Sequence, residues 1–314
     1  MNIAVITPIQ HLKGVLELLQ TKGNVFLHET ASKFEVRQLL LNKNIDTIIC
    51  NPNQQTYKID QELLSGTNVT LINTCSTGTN HIDQEYCKDN NIKIYSLTKD
   101  YELINQLPST SELAFGLMLS LLRNITDSKQ HVCEYGWDYT KFIGRQVKGL
   151  NVGIIGFGRL GKMMFKYCNA FDANIKVYDP YEMKNFSDSF LLNHYANLEQ
   201  IFETSDVITL HVHVTNETKY MVNESMLKLC KRSPYIINTS RGEIVCEQDL
   251  VNALDSKLIS GYGTDVIENE FDDIRKSPII DAMNRNKNII VTPHIGGMTR
   301  EGQEKAYLWA ANKL

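Results

Sequence analysis

A chain of 314 residues is longer than a single hydrophobic core usually grows, so two domains are expected. With 42% hydrophobic and 22% charged residues and no excess of glycine or proline, the composition excludes disordered and fibrous classes. A formal net charge of -4, with basic residues spread along the chain, gives no footprint for nucleic acid or an anionic membrane and leaves small-molecule chemistry open.

In chain order, MNIAVITPIQ lacks the basic start and small-residue cleavage site of a signal peptide and reads as a first strand. NIAVIT, NVFLHE, DTIIC, VTLINT and IKIYSL form a first series of short β-branched runs. Helical patterns lie between them, such as HLKGVLELLQTKG, with Leu12, Leu16 and Leu19 apolar and Gly23 as a stop. LAFGLMLSLL at 113 to 122 is too short to span a bilayer and reads as a buried helix. Ser109 to about Arg123 is expected to carry the chain into a second series: NVGIIGFG, NIKVYDP, DVITLHV, PYIINTS, LISGYGTD and NIIVTPH. Two series of strands alternating with helices predict an α/β protein of two doubly wound parallel sheets. The seven cysteines are odd in number, widely spaced and contain no C-x-x-C pair, so they read as reduced thiols of a cytoplasmic protein.

The second series opens on NVGIIGFGRLGKMMF, which places Gly156, Gly158 and Gly161 in the spacing G-x-G-x-x-G. Alone the pattern is weak. Here it follows a strand, opens a helix and precedes a strand ending in Asp179, eighteen positions after Gly161. The first glycine makes a tight turn, the second admits a pyrophosphate, and the third packs helix on strand. The helix N-terminus faces the anion, and Asp179 would accept from ribose hydroxyls and repel a 2'-phosphate, favouring NAD over NADP.

Ligands in such sheets lie beyond the carboxyl ends of the strands, where Arg241, Asp265 with Glu270, and His294 all fall. Each has a plain reading: Arg241 as a surface ion-pair partner, Glu270 as a solvated charge, Asp265 as a turn cap, His294 as a hydrated strand end. Their joint placement favours chemistry on a small anionic substrate. His211 and His213 form an i, i+2 pair on what reads as one strand face, but no third ligand lies near in sequence and no metal is expected. Cys75 reads as a buried thiol rather than a reactive one.

These segments together resemble the D-isomer-specific 2-hydroxyacid dehydrogenases, phosphoglycerate dehydrogenase-like members included. GIIGFGRLGK with YDP is similar to the family's cofactor segment, NTSRGEIV to its arginine segment, TDVIENE to its acid segment, and TPHIGG to its histidine segment. STGTNHID at 76 to 83 resembles the loop of its substrate domain. The resemblance implies a flavodoxin-like substrate domain (1–103 and 291–314) and a Rossmann NAD domain (104–290). It implies His294 as general acid/base, Glu270 as its carboxylate partner and Arg241 on the substrate carboxylate. Thr77 and Gly78 would hold the carboxylate's other side. NAD would meet Gly156, Gly158, Arg159, Leu160, Gly161, Asp179, His211, Thr239, Arg241, Asp265 and His294. His213 stands where the family commonly has proline, and Trp137 and Phe142 match a cover segment expected to pack.

The reaction implied is NAD-dependent hydride transfer between a D-2-hydroxy acid and a 2-oxo acid in a homodimer, without nucleic acid or membrane. A different reading of the same fold is an NAD(H)-sensing, corepressor-like regulator. The acid/base pair favours the enzyme, since a sensor needs none. The formate branch is disfavoured, because formate oxidation has no hydroxyl proton to remove and that branch carries glutamine in place of Glu270.

Overall fold

The computed structural model describes residues 1–52, 57–182, 193–268, 270, 273–285 and 287–314. Its contacts divide the chain into two compact units, Met1–Leu107 with Gly297–Leu314, and Pro108–Gly296.

The first unit is built on β1 (Asn2–Val5), β2 (Asn24–Leu27), β3 (Thr47–Cys50), β4 (Leu71–Thr74) and β5 (Lys93–Tyr95). All pairs are parallel, in the order β2-β1-β3-β4-β5 of flavodoxin-like sheets. Alternate side chains of these apolar strands serve opposite faces, so both faces must be covered. Ala4, Ile6, Ile48 and Cys50 pack with Val36, Leu39 and Leu40 of the Lys33–Asn42 helix. Ile3, Val5 and Ile49 pack with Val15 and Leu19 of the Val15–Lys22 helix and with Ala306, Tyr307, Ala310 and Ala311 of the C-terminal Arg300–Asn312 helix. Thr7 Oγ1 and Tyr307 Oη meet at 2.7 Å, and Asn73 Nδ2 donates to the Ala310 carbonyl at 2.9 Å.

The second unit holds β6 (Asn151–Ile155), β7 (Asn174–Tyr178), β8 (Val207–Leu210), β9 (Tyr235–Asn238), β10 (Gly261–Thr264) and β11 (Ile289–Val291). The parallel order is β11-β10-β9-β8-β6-β7, and Tyr195 adds an isolated bridge outside β7. Counted from β6 with that bridge as the third strand, the order is 3-2-1-4-5-6-7, which reverses between β6 and β8. The Ser109–Leu122 helix belongs to this unit, with Ala114, Leu117, Met118 and Leu121 buried against the sheet. It seats over Gly263 of β10, where an added Cβ would stand 3.1 Å from Leu121 and 3.2 Å from Leu117.

By contacts the units divide at 107/108 and 296/297, and Thr292, Ile295 and Gly296 are tied to Asp265 of the second unit. Two sequence expectations are corrected. Strand β8 ends at Leu210, so His211 and His213 share no strand face. Trp137 does not pack: it is 90% exposed, whereas Phe142 packs against His131 with ring centroids 5.3 Å apart and planes inclined at 54°. In NPNQQTYKID, Asn51, Asn53 and Lys58 are sequence candidates to face a substrate side chain; Asn51 is buried, Lys58 is exposed, and Asn53 lies outside the described residues.

Candidate active site

The three fingerprint glycines differ in backbone angle and in what surrounds them. Gly156 leaves β6 at φ +90°, and an added Cβ would strike the His211 carbonyl. Only glycine adopts that turn at little cost. A Cβ at Gly161 would collide with the Gly156 carbonyl oxygen, so the Arg159–Ala170 helix sits directly on the turn. At Gly158 a Cβ would meet nothing within 4 Å, which leaves room for a ligand. No side chain caps this helix, and its first turn, Arg159 and Leu160 included, presents backbone N–H groups to an anion. Ser111 holds the turn from below by donating to the Leu160 carbonyl at 3.0 Å.

Asp179 follows β7, and both of its oxygens accept backbone N–H groups: Oδ2 from Phe157 at 2.8 Å, Oδ1 from Tyr181 and Glu182 at 2.9 Å each. The acid therefore ties the fingerprint loop to the end of β7, a task that the sequence did not reveal. Thr239 Oγ1 and His211 Nδ1, at the ends of β9 and β8, are buried polar atoms without a hydrogen-bond partner among the described residues. An open glycine cradle, an uncapped helix start and two orphaned polar atoms at neighbouring strand ends fit a dinucleotide.

His211 also makes a prediction independent of ligand. Its Nε2 lies 2.9 Å from Thr209 Oγ1, and burial pushes its pKa down to about 4 from an ordinary 6.5. Between those values the unfolded chain takes up a proton that the folded chain refuses. Stability from this group is therefore complete above about pH 6.5 and declines toward pH 4, by up to about 3 kcal/mol. Urea unfolding at pH 7 and pH 4.5 should show a smaller difference for His211→Gln than for the unaltered protein.

The histidine segment is held by Asp265, which is 2% exposed at the end of β10. Its Oδ1 accepts from Thr292 Oγ1 at 2.5 Å and Ile295 N–H at 2.8 Å, and its Oδ2 accepts Gly296 N–H at 2.7 Å. Burial raises its carboxyl pKa against these three donors. Asp265 is thus a clamp on the loop after β11. The turn in that loop is made by His294 itself, at φ +54°, and neither Gly296 nor Gly297 takes a positive φ. Gly296 is required for space instead, since a Cβ would crowd Asp265 Oδ2 at 3.0 Å and Thr110 Cγ2 at 3.2 Å.

So placed, His294 donates from Nδ1 to Glu270 Oε2 at 2.8 Å, with side chains 23% and 17% exposed. Arg241, in extended backbone after β9, is half-buried and donates from Nη1 to the Ser240 carbonyl at 2.6 Å. Among the described residues no carboxylate pairs with it, so its charge remains available to an anion. In the first unit, the loop after β4 is fixed by Ser76 Oγ donating to the Gly78 carbonyl and Thr98 Oγ1 to the Thr77 carbonyl, both at 2.7 Å. Thr77 is exposed and Cys75 is buried, with its thiol pKa raised by burial, which fits an inert thiol.

A strand, turn and helix shaped for a pyrophosphate, followed along the same sheet by a histidine–carboxylate pair, define a class, the NAD-dependent oxidoreductases. Residues 115–296 match the family model described as D-isomer specific 2-hydroxyacid dehydrogenase, NAD binding domain. A glyoxylate reductase of Thermococcus litoralis is 33% identical over 263 residues, 79% of this chain and 74% of that protein. A hydroxypyruvate reductase of Thermotoga maritima is 29% identical over 306 residues, 96% of this chain and 94% of that one. The structure of Aquifex aeolicus D-lactate dehydrogenase complexed with NAD and lactic acid aligns over 100% of this chain and 94% of that one, with a TM-score of 0.75 and 26% identity. The chain belongs to the D-isomer specific 2-hydroxyacid dehydrogenase family, and its cofactor is NAD. No described helix is long and apolar enough to cross a membrane.

Proposed function

We propose that this enzyme interconverts a small D-2-hydroxy acid and its 2-oxo acid, with His294 as acid/base, Glu270 as its partner and Arg241 on the substrate carboxylate. The observation that carries the reading is the 2.8 Å bond from His294 Nδ1 to Glu270. With Nδ1 committed, Nε2 is the ring atom that exchanges a proton with substrate. Bound NADH supplies the hydride. In reduction, His294 gives its Nε2 proton to the carbonyl oxygen as negative charge develops there. In oxidation, neutral His294 takes the hydroxyl proton. Arg241 binds the carboxylate through its planar fork and stabilises the developing oxyanion. The N–H groups of Thr77 and Gly78 are further carboxylate donors in this reading.

For the cofactor, we assign the fingerprint turn to the pyrophosphate, Asp179 to the adenosine ribose, and His211, Thr239 and Asp265 to the remaining contacts. Asp179→Ala should weaken NADH binding at least about tenfold and narrow the preference over NADPH, because it removes both an acceptor and the Phe157 tether. Titration of protein fluorescence with each nucleotide measures both effects.

The substrate is tested by following NADH absorbance with glyoxylate, hydroxypyruvate, pyruvate and longer 2-oxo acids. Oxidation of NADH by at least one of them is expected. Tight NADH binding with none of them reduced would refute the enzymatic reading.

We also propose a homodimer built on residues 125–143. Tyr135, Trp137, Tyr139 and Ile143 are 99%, 90%, 85% and 82% exposed, an apolar concentration that a lone soluble chain rarely shows. Light scattering should give twice the chain mass, and Trp137→Glu should halve it. A monomer in the unaltered protein would refute the assignment. Seven free cysteines accord with a reducing, cytoplasmic location.

A further inference from the structure

Arg241 and Glu270 stand on separate segments, one after β9 and one after β10, and the structure joins these segments closely. A Cβ at Gly242 would overlap the backbone of Ile267 and Glu268. Farther on, Glu247 is 6% exposed and opens the Glu247–Asp255 helix. Its carboxylate turns back onto the acid segment: Oε1 accepts Glu268 N–H at 2.8 Å, and Oε2 accepts the Ser277 hydroxyl at 2.7 Å. Ser277 in turn accepts Ile279 N–H at 3.2 Å as the cap of the Pro278–Asn284 helix. The Glu268 carboxylate accepts from the Tyr220 hydroxyl, and Tyr220 N–H donates to the Glu243 carbonyl at 2.8 Å. One carboxylate thus holds the chain on both sides of Glu270, at residues 268 and 277.

A buried carboxylate is a poor choice for stability alone. Desolvation opposes it, raising its pKa here, and apolar side chains of similar size commonly serve a core as well. What two directed hydrogen bonds supply is a fixed backbone position two residues before Glu270. The donors also satisfy a charge at a helix N-terminus, where the helix field favours it.

We propose that Glu247 is a positioning residue: by fixing Glu268 and Ser277 it sets the placement of Glu270 and, through it, the Nδ1-anchored orientation of His294. The proposal rests on the acid/base reading given above.

Glu247→Met keeps the volume and removes both acceptors, while Glu247→Gln retains an acceptor for Glu268 N–H and a polar partner for Ser277. The Met variant should lose roughly 30-fold in kcat with NADH affinity unchanged within about twofold, and the Gln variant should stay within about threefold of the unaltered enzyme. In a Glu270→Gln background, Glu247→Met should cost less than about twofold more, since both changes act on one pair. Independently of turnover, the downfield proton resonance of His294 Nδ1–H, assigned by its absence in His294→Asn, should vanish in Glu247→Met and persist in Glu247→Gln. Should the Met variant fold poorly, Ser277→Ala removes one of the two bonds and should lose about fivefold in kcat with the same non-additivity. Losses that multiply in the double variant while the Nδ1–H resonance survives Glu247→Met would overturn the proposal. If no 2-oxo acid is reduced by the unaltered protein, the functional reading fails, and the proton resonance still decides the role of Glu247.

Discussion

Replacing His294 with asparagine should lower kcat for 2-oxo acid reduction by about 10³-fold, within the range that positioned acid/base groups contribute, while NADH binds as before. Asparagine is the informative substitution because of the backbone. His294 sits at φ +54°, a left-handed conformation that asparagine adopts far more readily than alanine does. The backbone bond from His294 N–H to the Asp265 carbonyl at 3.0 Å and the Asp265 clamp on Ile295 and Gly296 do not involve the imidazole. A His294→Asn loop should therefore keep its shape, and the lost rate should report proton transfer rather than refolding of the turn. Single-turnover hydride transfer from prebound NADH is the measurement. Full turnover in this variant would remove His294 from the mechanism, and a lost NADH affinity of similar size would make it a cofactor ligand instead.

The parts of this site that the sequence made legible are those written in contiguous residues. The fingerprint glycines, Asp179, Arg241 and His294 each follow a short apolar strand, and parallel strands bring all such ends to one sheet edge. What stayed hidden depends on which strands become neighbours. Asp265 reads as an isolated acid until β10 pairs with β11 and brings Thr292, Ile295 and Gly296 to its oxygens. Glu247 carries no signal at all, since its partners Glu268 and Ser277 lie 21 and 30 residues away. In TPHIGG the sequence does not show that the histidine takes the left-handed angle and that Gly296 is small for want of space, because both depend on the neighbouring Asp265 and Thr110. Trp137 shows a different limit, because an apolar side chain reads the same in sequence whether it enters a core or an exposed face.

Arg241→Ala should lower kcat/KM for a 2-oxo acid by about 10³-fold, corresponding to about 4 kcal/mol for two charge-assisted hydrogen bonds lost from a partly desolvated site. The guanidinium is held through Nη1 by the Ser240 carbonyl, which fixes the plane of the fork without neutralising its charge. Arg241→Lys restores the charge but not the paired donors and should recover only about tenfold. The comparison that isolates the carboxylate role uses a 2-oxo acid beside its methyl ester. The unaltered enzyme should prefer the acid strongly, and Arg241→Ala should bring the two rates close together by removing the group that tells them apart. NADH affinity should change little in either variant, because Thr239 and the fingerprint turn remain. If the preference for the acid survives in Arg241→Ala, the carboxylate is bound elsewhere, and the donors at Thr77 and Gly78 become the residues to alter next.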